Sequence, residues 1–466
     1  MIGIMTSTSG FLRRVCFPLI CMSIGLVAAA RMPEVGAAES RPNFVMILCD
    51  DLGYGDLACF GHPTIKTPRL DRLAQEGLTL TSCYASAPVC SPSRCGFLTG
   101  RTPARYRVDD WIPDNSQAHL PREEITVAKL LKAAGYATCH VGKWHCNGKF
   151  NSPAQPQPGD HGFDYWFSTQ NNALPTHRDP MNFVRNGKET GPIKGYSSQI
   201  IADEAIAWLK SRATDQPFCL FVWFHSPHEI IATPDEFTAP YRTEAKMRAD
   251  YFGNVTQADH EIGRLLDTLD ELQLRDSTLV AFTSDNGPET LSRYATADHS
   301  YGSPGKLRGM KLHLYEGGIR VPGIIRWPGR IQAATVSAEP VINLDVLPTL
   351  CAAAGANAPA DRTLDGTDLT PLFAGKAVER KSPLFWRYDR AIGVNKFCLR
   401  DRDWKILANA DRTRFELYNI VEDPAETTDL SEREPERLRA LAAELKRICG
   451  QIDAERASAD RSPAPD

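Results

Sequence analysis

At 466 residues, of which 42% are hydrophobic, the chain can bury a sizeable core, which excludes disorder as its main state. Glycine and proline number 33 each against 24% charged residues, a loop-rich globular composition that excludes collagen-like and heptad architectures. A formal net charge of −4 makes a poor general binder of nucleic acid or anionic membrane, so an anionic ligand has to be held by a local cationic pocket.

At the start of the chain, Arg13 and Arg14 precede an apolar stretch over 15–30 that Pro18 interrupts. That is the pattern of an export signal, predicted to cover residues 1–38 and to be removed. Cleavage after Ala30 or after Ala38 fits the small-residue preference equally, and a retained single anchor is the competing reading. With the later site, three arginines and Glu34 are lost and the net charge becomes −6. No second apolar run approaches membrane-spanning length, so the expectation is an exported protein, periplasmic or secreted, without a membrane span. Cys16 and Cys21 leave with the signal and eleven cysteines remain. Export permits disulfides, and an odd count leaves at least one sulfur unpaired, with Cys90 the candidate.

Beyond the signal, 43–48 reads as a buried strand, and Thr67-Pro68 opens a helix that Gly77 closes. A strand at 78–84 and a helix beginning at Ser91 follow. A helix over 126–134 ends at Gly135 before a strand at 136–141. An amphipathic helix at 199–210 precedes a strand at 218–224, and a long helix at 251–272 feeds a strand at 278–283. This alternation predicts an α/β domain over 39–355, with a large, mainly parallel sheet covered by helices on both faces and ligands at the carboxyl ends of its strands. After a helix at 343–354, turn formers over 355–374 predict a linker. Short strands at 384–387, 395–399, 404–408 and 414–419, with a final helix near 434–448, predict a small antiparallel C-terminal subdomain over 356–453. Residues 454–466 read as a disordered tail.

Two strands run into polar pairs at their carboxyl ends, Asp50-Asp51 and Asp285-Asn286. Three carboxylates and an amide packed together repel one another without a cation, and hard oxygen ligands favour calcium or magnesium over zinc. Taken one pair at a time, turn or cap roles compete with that reading. The next feature is Cys90-Ser91-Pro92-Ser93-Arg94, continued by Leu98-Thr99-Gly100. Ser91 as N-cap with Pro92 at the first helical position places the cysteine at a helix start, where unpaired N–H groups, the helix dipole and Arg94 favour an anion or a nucleophile. A thiol of lowered pKa is the plainest functional reading, and half of a disulfide is the competing one.

Pro88-Val89-Cys90-Ser91-Pro92-Ser93-Arg94 with Leu98-Thr99-Gly100 resembles the first signature of the type I sulfatase family, and Gly135-Tyr136-Ala137-Thr138-Cys139-His140-Val141-Gly142-Lys143-Trp144-His145 resembles the second. Chance occurrence of the four fixed residues of the first core has odds of roughly a few in a thousand for a chain of this length. The likeness runs from Arg41 to about Asn419 and includes Ser284-Asp285-Asn286-Gly287 and the stretch 315–322. It implies an alkaline-phosphatase-like α/β/α fold with a small antiparallel C-terminal α+β subdomain. It also implies that Cys90 is converted to Cα-formylglycine by a formylglycine-generating maturation enzyme. One calcium ion per chain would be bound by Asp50, Asp51, Asp285 and Asn286 with an oxygen of the modified Cys90. Arg94, Lys143 and His145 would hold and polarise the formylglycine hydrate, while His228 and Lys311 look like the family's sulfate-binding histidine and lysine. His225 competes with His228, and Lys306 and Arg308 with Lys311.

Lys143 and His145, two apart, share a side if the strand continues through them. Sulfate monoesters resist anionic nucleophiles, and calcium with Arg94, Lys143, His228 and Lys311 would neutralise the peripheral oxygens. The expected activity is a sulfuric ester hydrolase, arylsulfatase- or N-acetylgalactosamine-sulfatase-like, acting on a sulfated saccharide or aryl sulfate. Trp144, Tyr165, Trp166 and Trp386 are candidate sugar platforms, and loops within 150–195 and 290–307 are the expected specificity elements. The alternatives are a phosphate or phosphonate hydrolase on the same fold and a non-catalytic sulfoglycan-binding protein.

Overall fold

The computed structural model describes residues 41–459; the predicted signal segment lies outside them. In chain order the strands of the large sheet are β1 (Asn43–Cys49), β2 (Leu78–Tyr84), β3 (Ala137–Lys143), β4 (Tyr165–Thr169), β5 (Val184–Arg185) and β6 (Lys188–Glu189). They continue with β7 (Phe218–Trp223), β8 (Thr278–Ser284), β9 (Arg320–Arg326), β10 (Thr335–Ser337) and β11 (Val341–Ile342). The sheet runs β10-β2-β9-β8-β1-β7-β3-β4-β5-β6, with β11 paired to β2. β8, β1, β7, β3 and β4 are mutually parallel, whereas β9 runs antiparallel to both β8 and β2. That strand is not signalled in the sequence, because Pro322 and Gly323 interrupt its apolar run.

Alternation within β1 explains the layering. Phe44, Met46 and Leu48 face one core with α2 (Cys90–Thr99), α3 (Val127–Ala133) and the later helix Val346–Ala354. Val45, Ile47 and Cys49 face the other, with α1 (Pro68–Gln75) and α4 (Ser197–Ser211). Both faces of the strand are therefore buried, as parallel sheets require. A turn, α5 (Asp235–Thr238), precedes the 26-residue α6 (Lys246–Glu271), which packs on α1 and α4. α7 (Glu316–Ile319) is one turn leading into β9, and α8 is the Val346–Ala354 helix.

The stretch predicted as a linker is packed: it forms the turn α9 (Thr370–Phe373), and Leu369 and Phe373 join the main core. The small antiparallel sheet is β12 (Leu384–Arg387), β13 (Asn395–Asp401), β14 (Trp404–Asn409) and β15 (Phe415–Asn419), paired in that order. One face, with Phe385, Leu399, Ile406 and Leu417, packs on α10 (Pro435–Ala459). That helix runs past residue 453, so 454–459 are helical rather than a tail. The other face, through Trp386, Cys398 and Leu407, covers Tyr84, Val89 and Cys90.

Candidate active site

All ten residues of α2 are buried, and Cys90 itself is only 3% exposed. The helix start is not open at the surface, because the small sheet closes over it. The helix begins at Cys90, with Val89 as N-cap. Ser91 is not the cap, and its Oγ instead accepts the Ile112 N–H at 2.9 Å. Burial, opposed by the charges of Lys143 and Lys311, pushes the Cys90 thiol up to about 11, so the reading of a lowered-pKa thiol fails. Desolvation outweighs the helix terminus. Among the described residues every cysteine is free, and all but Cys59 are buried.

The two polar pairs sit where adjacent parallel strands end. Asp50 and Asp51 follow β1, and Asp285 and Asn286 follow β8, whose register places Cys49 beside Ser284. All four are buried. Lys143 Nζ donates to Asp50 Oδ2 at 2.6 Å, and Lys311 Nζ to Asp51 Oδ2 at 2.7 Å. Arg94 Nε donates to Asp285 Oδ2 at 2.9 Å and Nη1 to the Lys143 carbonyl at 3.0 Å, while Nη2 lies 3.4 Å from Asp50 Oδ1. Asn286 Nδ2 donates to Asp51 Oδ1 at 2.7 Å. Burial alone would raise Asp50, yet Lys143, His228 and Arg94 hold it well below the carboxylate range. Asp285 moves the other way, to about 7, because burial and the neighbouring Asp50 and Asp51 outweigh Arg94.

Ligand atoms of Asp50, Asp51 and His228 lie within 4.8 Å of one another, and Asp285 stands outside that tight group. Asp50 Oδ1 and Asn286 Oδ1 are buried without a hydrogen-bond donor. Orphaned oxygens among crowded carboxylates fit a hard divalent cation.

His228 Nε2 lies 3.5 Å from Asp51 Oδ2, whereas His225 is sequestered against Thr169 Oγ1 at 2.7 Å. Lys311 is buried at the site, and its rival Arg308 instead stacks on Tyr315 and donates to Tyr418 and the Glu426 carbonyl. The strand does not continue from Lys143 to His145 as the two-residue spacing suggests. It ends at Lys143, and His145 turns into the left-handed region at φ 51°. Its Nε2 meets the Ile112 carbonyl at 3.1 Å and its Nδ1 is unpartnered. With burial pushing its pKa well below the usual value, the ring is neutral, and Nδ1 is the free acceptor. Gly142 precedes this turn at φ 103°, where an added Cβ would lie 1.8 Å from the Trp223 carbonyl oxygen.

Cys90, His145, His228 and Lys311 line one cavity of about 480 Å³. Asn171, Asn172, Arg293 and Tyr294 bring both expected specificity loops into it. The proposed sugar platforms do not: Trp144 and Trp386 are fully buried, Trp166 is 6% exposed, and the Tyr165 hydroxyl is taken by Glu204. Asp110, Trp111, Tyr388 and Arg390 line the cavity instead. No motif in the sequence signals them, since they come from two distant loops.

Comparison with known proteins agrees with this geometry. The Sulfatase family profile matches residues 42–356, and that of the N-sulphoglucosamine sulphohydrolase C-terminal region matches residues 310–454. The chain is 33% identical over 445 residues to steryl-sulfatase of Mus musculus, covering 78% of this chain and 70% of the relative. It is 33% identical over 394 residues to N-acetylgalactosamine-6-sulfatase of Canis lupus familiaris, covering 79% and 73%. The crystal structure of Ps i-CgsB in complex with k-i-k-neocarrahexaose superposes with a TM-score of 0.78 at 28% identity, over 89% of this chain and 93% of that one. The chain therefore belongs to the sulfatase family, with its mixed, mainly parallel sheet and small C-terminal antiparallel sheet, and is a sulfuric ester hydrolase.

Proposed function

We propose that this protein is an exported, calcium-dependent sulfatase whose nucleophile derives from Cys90 and whose substrate is a sulfated saccharide. The observation that carries the reading is the convergence on Cys90, at the floor of one cavity, of Lys311, His228 and His145, with Arg94, Lys143 and four oxygen-bearing side chains beneath them. Converted to Cα-formylglycine by a maturation enzyme, Cys90 supplies an aldehyde hydrate, an oxygen nucleophile that a protonated thiol cannot replace. Asp50, Asp51, Asp285 and Asn286 would hold the calcium ion, which supplies positive charge against the ester oxygens.

The chain's own residues divide the remaining work. Lys311, which lines the cavity, presents its ammonium group to the peripheral oxygens of the ester, electrostatic stabilisation commonly worth several kcal/mol. Lys311 and His228 are placed to protonate the departing alcohol, and the free Nδ1 of neutral His145 is placed to take a proton when sulfate is expelled. Asp285, raised by burial and by the neighbouring Asp50 and Asp51 against the pull of Arg94, is the candidate for the initial deprotonation. Arg94 and Lys143 keep the carboxylates from repelling one another.

Mass spectrometry of the Cys90 peptide tests the reading together with sulfate release. Conversion lowers the peptide mass by about 18 Da, and Cys90→Ala is expected to abolish turnover while leaving the unfolding transition in place. An unmodified cysteine in the fully active protein overturns the proposal.

A further inference from the structure

Resting on the saccharide reading, we propose that Trp111, Asp110 and Arg390 form a leaving-group subsite that selects a sugar ring carrying free hydroxyls beside the scissile sulfate, over an aryl or steroidal sulfate. Trp111 is 45% exposed and lines the cavity that holds Cys90. Its backbone is tied to the reacting centre through the next residue. The Ile112 N–H donates to Ser91 Oγ at 2.9 Å, and the Ile112 carbonyl meets His145 Nε2 at 3.1 Å. An exposed indole on a backbone held there offers a platform for a pyranose face.

Polar groups beside it match hydroxyls. Asp110 Oδ1 accepts from Tyr388 OH at 2.8 Å and from the Trp111 backbone N–H at 2.9 Å, and Oδ2 lies 3.2 Å from Arg390 Nε. The Arg390 side chain is 77% exposed, with neither Nη bonded to Asp110. A carboxylate lone pair and a guanidinium N–H thus stand side by side. A sugar hydroxyl, both donor and acceptor, can bridge them. The side-chain oxygens of Asn171 and Asn172, which also line the cavity, have no donor of their own.

A hydrocarbon leaving group would desolvate these groups without pairing them, a penalty sites use to reject substrates that lack hydroxyls.

The test compares kcat/KM for positional isomers of monosulfated galactose and N-acetylgalactosamine with kcat/KM for nitrophenyl sulfate, using the mature protein. The saccharide kcat/KM is expected to fall about tenfold in Trp111→Ala, and the saccharide-to-aryl ratio roughly ten- to hundredfold in Asp110→Asn, with thermal unfolding matched to the parent. An unchanged saccharide kcat/KM in Trp111→Ala, whose exposed side chain supports no core, overturns the subsite, and so does an unchanged ratio in Asp110→Asn. So does a parent enzyme that cleaves nitrophenyl sulfate and none of the saccharides. A parent that releases sulfate from neither overturns the formylglycine-dependent sulfatase reading itself.

Discussion

The Lys405 ammonium, on β14 of the small sheet, lies 2.9 Å from Glu316 Oε1 in the stretch that leads into β9. Glu426 Oε1 is 2.8 Å from the same nitrogen, and all three side chains are fully buried. Tyr84, from the large sheet, donates its hydroxyl to Glu316 Oε2 at 2.6 Å. Glu316 is thus the joint between the two sheets, five residues after Lys311. Gly317 follows it because a Cβ there would sit 2.1 Å from the Gly309 carbonyl oxygen.

Lys405→Met strips two buried carboxylates of their cation. A loss of about 3–5 kcal/mol in unfolding free energy is expected, read by urea denaturation. A change under 1 kcal/mol would show that the network is compensated elsewhere.

Replacing Lys311 with alanine removes a charge from the cavity, and replacing Lys143 strips buried Asp50 of its ammonium partner. Lys143→Ala and Lys311→Ala are each expected to lower kcat by roughly a hundred- to thousandfold, and steady-state kinetics on nitrophenyl sulfate reads the effect. Turnover within threefold of the parent would place the substrate elsewhere.

On the proposed calcium reading, a chelator is expected to abolish turnover and lower Tm. Re-addition at about a hundred times Kd should restore roughly 2.7 kcal/mol of stability. Oxygen ligands predict that calcium restores both more effectively than zinc, which calorimetric titration and activity together decide.

His161, buried beneath Trp144, has its pKa lowered to about 3, first by burial and then by Lys129. The unfolded chain takes up a proton near pH 6.5 that the folded chain refuses, so stability falls as pH drops from about 6.5 towards 3, by up to roughly 1.4 kcal/mol per pH unit. His161→Gln is expected to flatten the slope of unfolding free energy between pH 6.5 and 4.5. An equal slope in the variant would assign it to other groups.

Regular periodicity made the central strands and most helices legible. β2 and β12 occupy the predicted residues, and α3 starts after Thr126, whose side chain accepts from Lys129 N. What escaped was tertiary. β9 pairs antiparallel on both sides despite a proline and a glycine, and α10 extends because Leu445, Ile448 and Ile452 find a sheet to cover. In the site, motif residues were readable because each carries charge in a fixed spacing. Trp111, Asp110 and Arg390 were not, since they come from two distant loops and meet only when the small sheet docks. Trp144 misled because an aromatic beside a catalytic motif is indistinguishable in sequence from one beneath it.

The depth of Cys90 sets an order of events in the life of the chain. The side chain of a residue only 3% exposed at the bottom of a cleft is out of reach of another protein's catalytic groups once Trp386 and Leu407 have closed above it. Any enzymatic rewriting of that side chain has to act while the segment is still extended, before the small sheet docks. A molecule that folds first is left permanently with its thiol, and no later encounter can repair it.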